Sequence, residues 1–350
     1  MNRIYLDHAA TTPMRPEAVA AVADGMARWA NPSSPHAEGR AARAALEDAR
    51  ARIAAALGWG GEVILTSGAS ESLVIALGRA RLDCRIISAA EHDAVFRASP
   101  DAMVLPIHEG EPDHDALTGL LARSGKPVVA VQHINSETGT SLTPYARNIA
   151  AEATRAAGGL FLSDCSQSAG KTALPDADMI VVSAHKLGGP PGIGALLVRD
   201  FAMLEPVGGH EFGYRMGTEN LPAALGFAAA LEAGGIESWA TTAEERFRFK
   251  DALYDGGEVI APGVQCSHIV AVAIDGLSAA AALIRFDAMG IAVSSGSACS
   301  SGTLKRSRAL EAFGVEAGAA GRTIRISIGW STTPDELNAF LDVYRRIARA

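Results

Sequence analysis

A chain of 350 residues, 48% hydrophobic and 20% charged, is long enough to bury a sizeable core, and at roughly 150 residues per domain it predicts about two domains. Its net charge of −8, from 31 basic and 39 acidic residues with no basic run, argues against a nucleic-acid-binding surface. No apolar run is long enough to span a bilayer, the four cysteines form neither a CxxC pair nor a metal-ligand spacing, and MNRIYLDHAATTP has no secretory-leader pattern; the expectation is a cytoplasmic protein with reduced thiols and no metal, membrane or nucleic-acid partner.

In chain order, Glu62–Thr66 (EVILT) reads as a strand and is followed by SGASES and an apolar-periodic stretch to Leu77. Further strands are expected at 85–89, 103–107 and 128–132, then a helix over 144–157 with Pro144 at its start. Strands at Leu160–Asp164, Met179–Ser183 and Gly194–Val198 follow. Short, almost wholly apolar strands between helices predict a mainly parallel α/β sheet buried on both faces. After Leu231 the texture changes to a charged helical stretch over 237–253, a strand over 268–274, a helix over 279–289, strand-like IAVS and TIRISI, and a last helix from Pro334. The expected division is a large domain over 13–231 and a smaller α+β domain made of 1–12 and 232–350.

Chemistry-bearing residues recur where strands end. In MIVVSAHKLGGPPGIGALLV a strand delivers Ser183, His185 and Lys186 to its carboxyl end, where open α/β sheets bind ligands. A lysine there is placed to form a Schiff base with a carbonyl cofactor; a surface lysine is the plainer reading. In EVILTSGASES the small Gly68, Ala69 and Ser70 precede a helix whose N-terminus attracts anions, while Ser70 as an ordinary helix cap reads the same residues more simply. Asp164 ends LFLSD, where its carboxylate suits a pyridinium nitrogen, and Gln167 follows three residues on. His92, after RIISAAE, suits ring stacking and proton transfer, though strand-end histidines are commonly structural. Cys299 sits in SSGSACSSGT, a small, polar loop expected to be exposed and mobile, with Lys305, Arg306 and Arg308 close by to favour the thiolate.

The ordered set YLDHAATTP, NPSSPH, SGASES, AEH, NSETG, SDCSQSAGK, SAHKLGGPPGIGA, GGHEFGYRMGTEN, SSGSACSSGT and TIRISIG resembles that of the cysteine desulfurases, pyridoxal-phosphate (PLP) enzymes of the class-V aminotransferase-like group. The resemblance implies the type I PLP fold, with a mainly parallel seven-stranded sheet, and a homodimer with active sites at the subunit interface. It implies Lys186 as the cofactor-linking lysine, Asp164 and Gln167 at the cofactor ring and His92 stacked on it. Ala69, Ser70, Ser183 and His185 would hold the phosphate, joined by Thr218 of the partner subunit. Arg325 would bind the substrate carboxylate, beside Ser136, and Cys299 would take the sulfur of L-cysteine as a persulfide, leaving alanine, and pass it to a protein acceptor. Catalysis would then rest on Lys186, Cys299 and His92.

Several residues depart from the family pattern. Ser136 stands where a second Asn is usual and cannot supply an amide. Phe212 replaces a common Arg, Gly189 and Pro191 replace an aromatic and a basic residue, and Cys165 replaces a common Ala. Alternative readings are another class-V PLP enzyme (an aminotransferase, a selenocysteine lyase or a β-eliminating lyase) and a low-turnover sulfur-carrier subunit. Cys299 discriminates among the enzymes, because transamination needs no thiol.

Overall fold

The computed structural model describes residues 3–145, 147–295 and 307–349. Cys299, Lys305 and Arg306 therefore lie outside the described residues.

Seven strands form the main sheet: β1 (Glu62–Thr66), β2 (Cys84–Ser88), β3 (Met103–Leu105), β4 (Pro127–Ala130), β5 (Leu160–Asp164), β6 (Met179–Ser183) and β7 (Gly194–Val198). Their order is β1-β7-β6-β5-β4-β2-β3. The pairs β2–β3, β2–β4, β4–β5 and β5–β6 are parallel, while β7 runs antiparallel to both β1 and β6. The sheet is mixed, with its mainly parallel part flanked by one reversed strand.

Period-two alternation builds two apolar layers on this sheet. Val63, Leu65, Ile180 and Val182 pack on one side with Ala18, Leu46 and Phe227, from helices Pro16–Ala27, Ala37–Ala56 and Leu221–Glu232. Ile64, Met179 and Val181 point to the other, against Leu73 and Leu77 of helix Ala69–Arg79. Each fully buried aliphatic side chain contributes roughly 1.5–3 kcal/mol. With both faces covered, the polar residues that chemistry requires are left to the strand ends.

A second, antiparallel sheet has the order β8-β9-β11-β10, from β8 (Gly257–Ile260), β9 (Ile269–Ile274), β10 (Ser294–Ser295) and β11 (Thr323–Ser327). Its own core contains Phe249, Val272, Phe286, Ile324 and Phe340. The N-terminal segment joins it: Leu6 packs into that core, and Ile4–Tyr5 pairs in parallel with Ile291–Ala292.

Two expected helices are shorter than their sequence pattern. The helix begins at Ile149 rather than 144, because the Asn148 side chain accepts from Ala151 N at 3.1 Å and caps it there. The charged stretch from 237 becomes α-helical over Ala243–Ala252, where Thr242 and Glu245 form a reciprocal capping box, with short 3-10 turns at Ile236–Ser238 and Leu253–Asp255 on either side. Ser70 is not the cap of Ala69–Arg79; Gly68 is, at φ +147°, and Ser70 lies inside the first turn. That cap conformation favours glycine, and the backbone of Gly194 approaches so closely that a Cβ there would lie 2.8 Å from Gly68 Cα.

Candidate active site

The carboxyl ends of β1, β2, β5 and β6 converge on a cavity of about 410 Å³. Its lining includes ten of the residues singled out in the sequence: Ala69, Ser70, His92, Ser136, Asp164, Gln167, Ser183, His185, Lys186 and Arg325. They come from separate stretches spread over more than 250 residues and meet because strand ends share one edge.

Lys186 ends the short 3-10 turn that follows β6, and its Nζ donates to the carbonyl of Ala9. Gln167 Nε2 donates to the same carbonyl at 2.9 Å. The N-terminal DHAATTP segment thus forms one wall of the cavity. Gln167 Oε1 is buried and lacks a hydrogen-bond donor among the described residues, an acceptor suited to a ligand. Asp164, at the end of β5, accepts on Oδ1 from Ser166 N at 2.9 Å and Ser166 Oγ at 2.6 Å. His185 Nδ1 lies 3.1 Å from Thr11 Oγ1; burial, then the charges of Lys186 and Lys171, pushes His185 down to about 4, so it is neutral near pH 7. His92 caps helix Asp93–Ala98 by accepting from Ala94 N at 3.2 Å on Nδ1, which leaves the hydrogen of the neutral ring on Nε2.

Arg325 of β11 enters from the smaller sheet, 4% exposed. Its Nη2 meets Asp7 Oδ1 at 2.7 Å and its Nη1 donates to the Ser136 carbonyl at 3.0 Å, while its buried Nε has no partner among the described residues. Ser136 thus reaches Arg325 through its backbone, a bond its side-chain identity does not alter.

Thr218 is the outlier. It is exposed, does not line the cavity, and offers its carbonyl to Arg215 Nη1 at 3.3 Å. The environment of Cys299 lies outside the described residues.

Sequence reading missed several groups. Glu91, 3% exposed beneath the site, accepts from Ser88 Oγ at 2.6 Å and Gln132 N at 2.7 Å on one oxygen, while the other has no partner among the described residues. Burial pushes it up to about 8, outweighing those two bonds. Glu137 accepts from Ser307 Oγ at 2.6 Å and is pushed up to about 7, again by burial. Asp7 and Lys171 stood inside quoted motifs, but nothing in their spacing indicated that both would turn inward.

The donor set suits a phosphorylated pyridine aldehyde: an amine, a strand-end carboxylate, an unpartnered amide oxygen, and small residues at a helix N-terminus with two serines and a histidine. A model for class-V aminotransferases matches residues 4–340, and the chain belongs to that PLP-dependent family, where it groups with the cysteine desulfurases. "Cysteine desulfurase IscS 1" of Archaeoglobus fulgidus is 32% identical over 97% of this chain and 95% of its own. The structure of a NifS-like protein from Rickettsia africae superposes with a TM-score of 0.88 at 28% identity, covering 100% of both chains. A structure described as SspA in complex with cysteine gives 0.78 at 26% identity, over 94% of this chain and 100% of that one.

Proposed function

We propose that the chain is a PLP-dependent cysteine desulfurase that converts L-cysteine to L-alanine, storing the sulfur as a persulfide on Cys299 before transfer to a protein acceptor. The observation that carries this reading is the convergence of Lys186, Asp164, Gln167 and Arg325 on one cavity of about 410 Å³.

Lys186, Asp164, Gln167 and His92 would hold the cofactor's reactive part, with Ala69, Ser70, Ser183, His185 and the partner subunit's Thr218 for its phosphate. When bound, PLP supplies an electron sink that makes the substrate α-proton removable. The Lys186 amine takes and returns that proton, held in place by the Ala9 carbonyl. Arg325, already oriented by Asp7 and Ser136, offers its unpartnered Nε to the substrate carboxylate. His92 would donate its Nε2–H toward the substrate sulfur and orient it for attack. The Cys299 thiolate attacks the substrate sulfur: an S–S bond forms, the C–S bond breaks, and the carbon keeps the electron pair and takes a proton, giving alanine.

The homodimer belongs to the same proposal. Thr218 faces outward beside exposed Met216 and Phe212, which suits contribution to a second subunit's site. Residues 13–231 would form the cofactor domain, and 1–12 with 232–350 the domain carrying Cys299; the separate apolar cores support that division. A cytoplasmic location accords with Cys84, Cys165 and Cys266 all being unpaired.

The test is sulfide and alanine formation from L-cysteine under reducing conditions, with Cys299→Ala beside the wild type. Equal sulfide and alanine, both lost in the variant while it keeps its cofactor, is the expected result. A variant as active as the wild type, or an α-keto acid product, overturns the persulfide mechanism and favours a lyase or aminotransferase.

A further inference from the structure

A second, much smaller void adjoins the site. It has a volume of about 10 Å³ and is lined by Lys186 and Lys171, with Thr12, Arg15 and Trp330 among the other walls. A space of that size admits at most one water. Lys186 and Lys171 therefore border one small space with little solvent in it, where charges are weakly screened.

Lys171 makes no ion pair among the described residues. Its Nζ donates to the Gln167 carbonyl at 3.0 Å, the same oxygen that His268 Nε2 contacts at 3.0 Å. The titratable and charged groups around it come from every neighbouring element. Lys186 and His185 stand on the turn after β6, His8 on the N-terminal segment, Cys266 and His268 just before β9, and Arg15 across the void. None is a carboxylate. Burial foremost pushes Lys171 down to about 7; Cys266 opposes it, and the charge of Lys186 adds to it to a lesser degree. His8 and His268 are also held low by burial, with Lys171 adding to it, so both are neutral and leave the two lysines as the amines that compete for a proton.

We propose that Lys171 is a positioning residue that acts through Lys186: a proton on Lys171 opposes one on Lys186 across the void, so the pair shares about one charge and Lys186 stays a ready base. The inference rests on Lys186 being the cofactor lysine. Such a pair titrates as a unit, each amine's proton affinity depending on the other's state. A cationic neighbour is also a known means of keeping a catalytic lysine neutral near pH 7. A Lys171 that merely satisfied the Gln167 carbonyl would have no such influence.

The experiment uses the PLP-loaded full chain as wild type, Lys171→Met and Lys171→Arg, with Lys186→Ala as reference. The visible absorbance of the Lys186–cofactor linkage is titrated with pH, and the acid limb of kcat is measured alongside. Lys171→Met removes the opposing charge and is expected to raise both midpoints by about one pH unit. Lys171→Arg fixes the charge and is expected to lower them. Opposite shifts support the proposal, and if Lys171→Met does not fold, the lowered midpoint of Lys171→Arg carries the test alone. Midpoints that coincide in the folded variants overturn it. If Lys186→Ala keeps the same visible band, the assignment of Lys186 itself falls, a distinct outcome.

Discussion

Replacing Glu91 by Gln isolates the cost of a buried carboxyl. The amide has the same shape and keeps the oxygen that accepts from Ser88 and Gln132, but it cannot ionise. Glu91 is raised from 4.5 to about 8, chiefly by burial. The folded protein therefore binds this proton more tightly than the unfolded chain does, and the wild type loses stability as pH climbs from about 4.5 to about 8. At 1.36 kcal/mol per pH unit, the loss over that interval is on the order of 5 kcal/mol. Below pH 4.5 both states are protonated, and the variant differs from wild type only by what its amide does at the unpartnered oxygen's position. Guanidinium unfolding midpoints of both proteins at pH 5 and pH 8.5 read the difference, since all other titrating groups cancel. The variant is expected to gain several kcal/mol relative to wild type between the two conditions. A gap between the proteins that does not change with pH would show that Glu91 stays ionised in the fold, and would refute the reasoning.

A methyl on Gly329 would lie 1.9 Å from Nδ1 of the buried His8 ring, which is also held by Thr332 Oγ1 at 3.2 Å. Gly329→Ala is therefore expected to cost about 1–3 kcal/mol and lower the melting temperature by several degrees, and an unchanged melting temperature would contradict this packing. Arg325→Lys keeps the charge but loses the planar fork that joins Asp7 and Ser136. A loss of about 1.5–3 kcal/mol predicts a fall in kcat/KM for L-cysteine of roughly tenfold to a hundredfold, carried mainly by KM; wild-type KM in the variant would remove Arg325 from the substrate's grip.

Much of the fold was legible because buried strands betray themselves by composition. MIVVS and GALLV are wholly apolar but for a terminal serine and glycine, and they form central strands with those bounds. The direction of β7 was not legible: a short apolar run reads the same either way, and only its pairing with β1 and β6 sets it antiparallel. Helix starts erred where a cap overrode periodicity, as at Asn148 and Thr242. For the cavity, strand-end position identified Asp164, Lys186 and His92 as candidates from sequence order alone. Glu91, Glu137 and Lys171 escaped because their unusual protonation comes from burial and from neighbours distant in sequence. Thr218 stands apart from the cavity; the proposed homodimer would bring it to a second subunit's site.

Asp7 grips Arg325 and the Ala9 carbonyl receives Lys186, so the guanidinium and the amine are both referenced to one three-residue stretch of backbone. That stretch works as a gauge block. The spacing between the group that would anchor a substrate's carboxylate and the group that would pull its α-proton is set through that short stretch, whose reach of at most about 3.3–3.6 Å per residue allows little travel. A shift of the smaller sheet relative to the larger one would drag the N-terminal strand with it through Ile4–Tyr5 and its partner Ile291–Ala292. Alignment of the two reacting ends is thereby insulated from such slippage, and sequence drift elsewhere in the interface between the sheets should be correspondingly cheap.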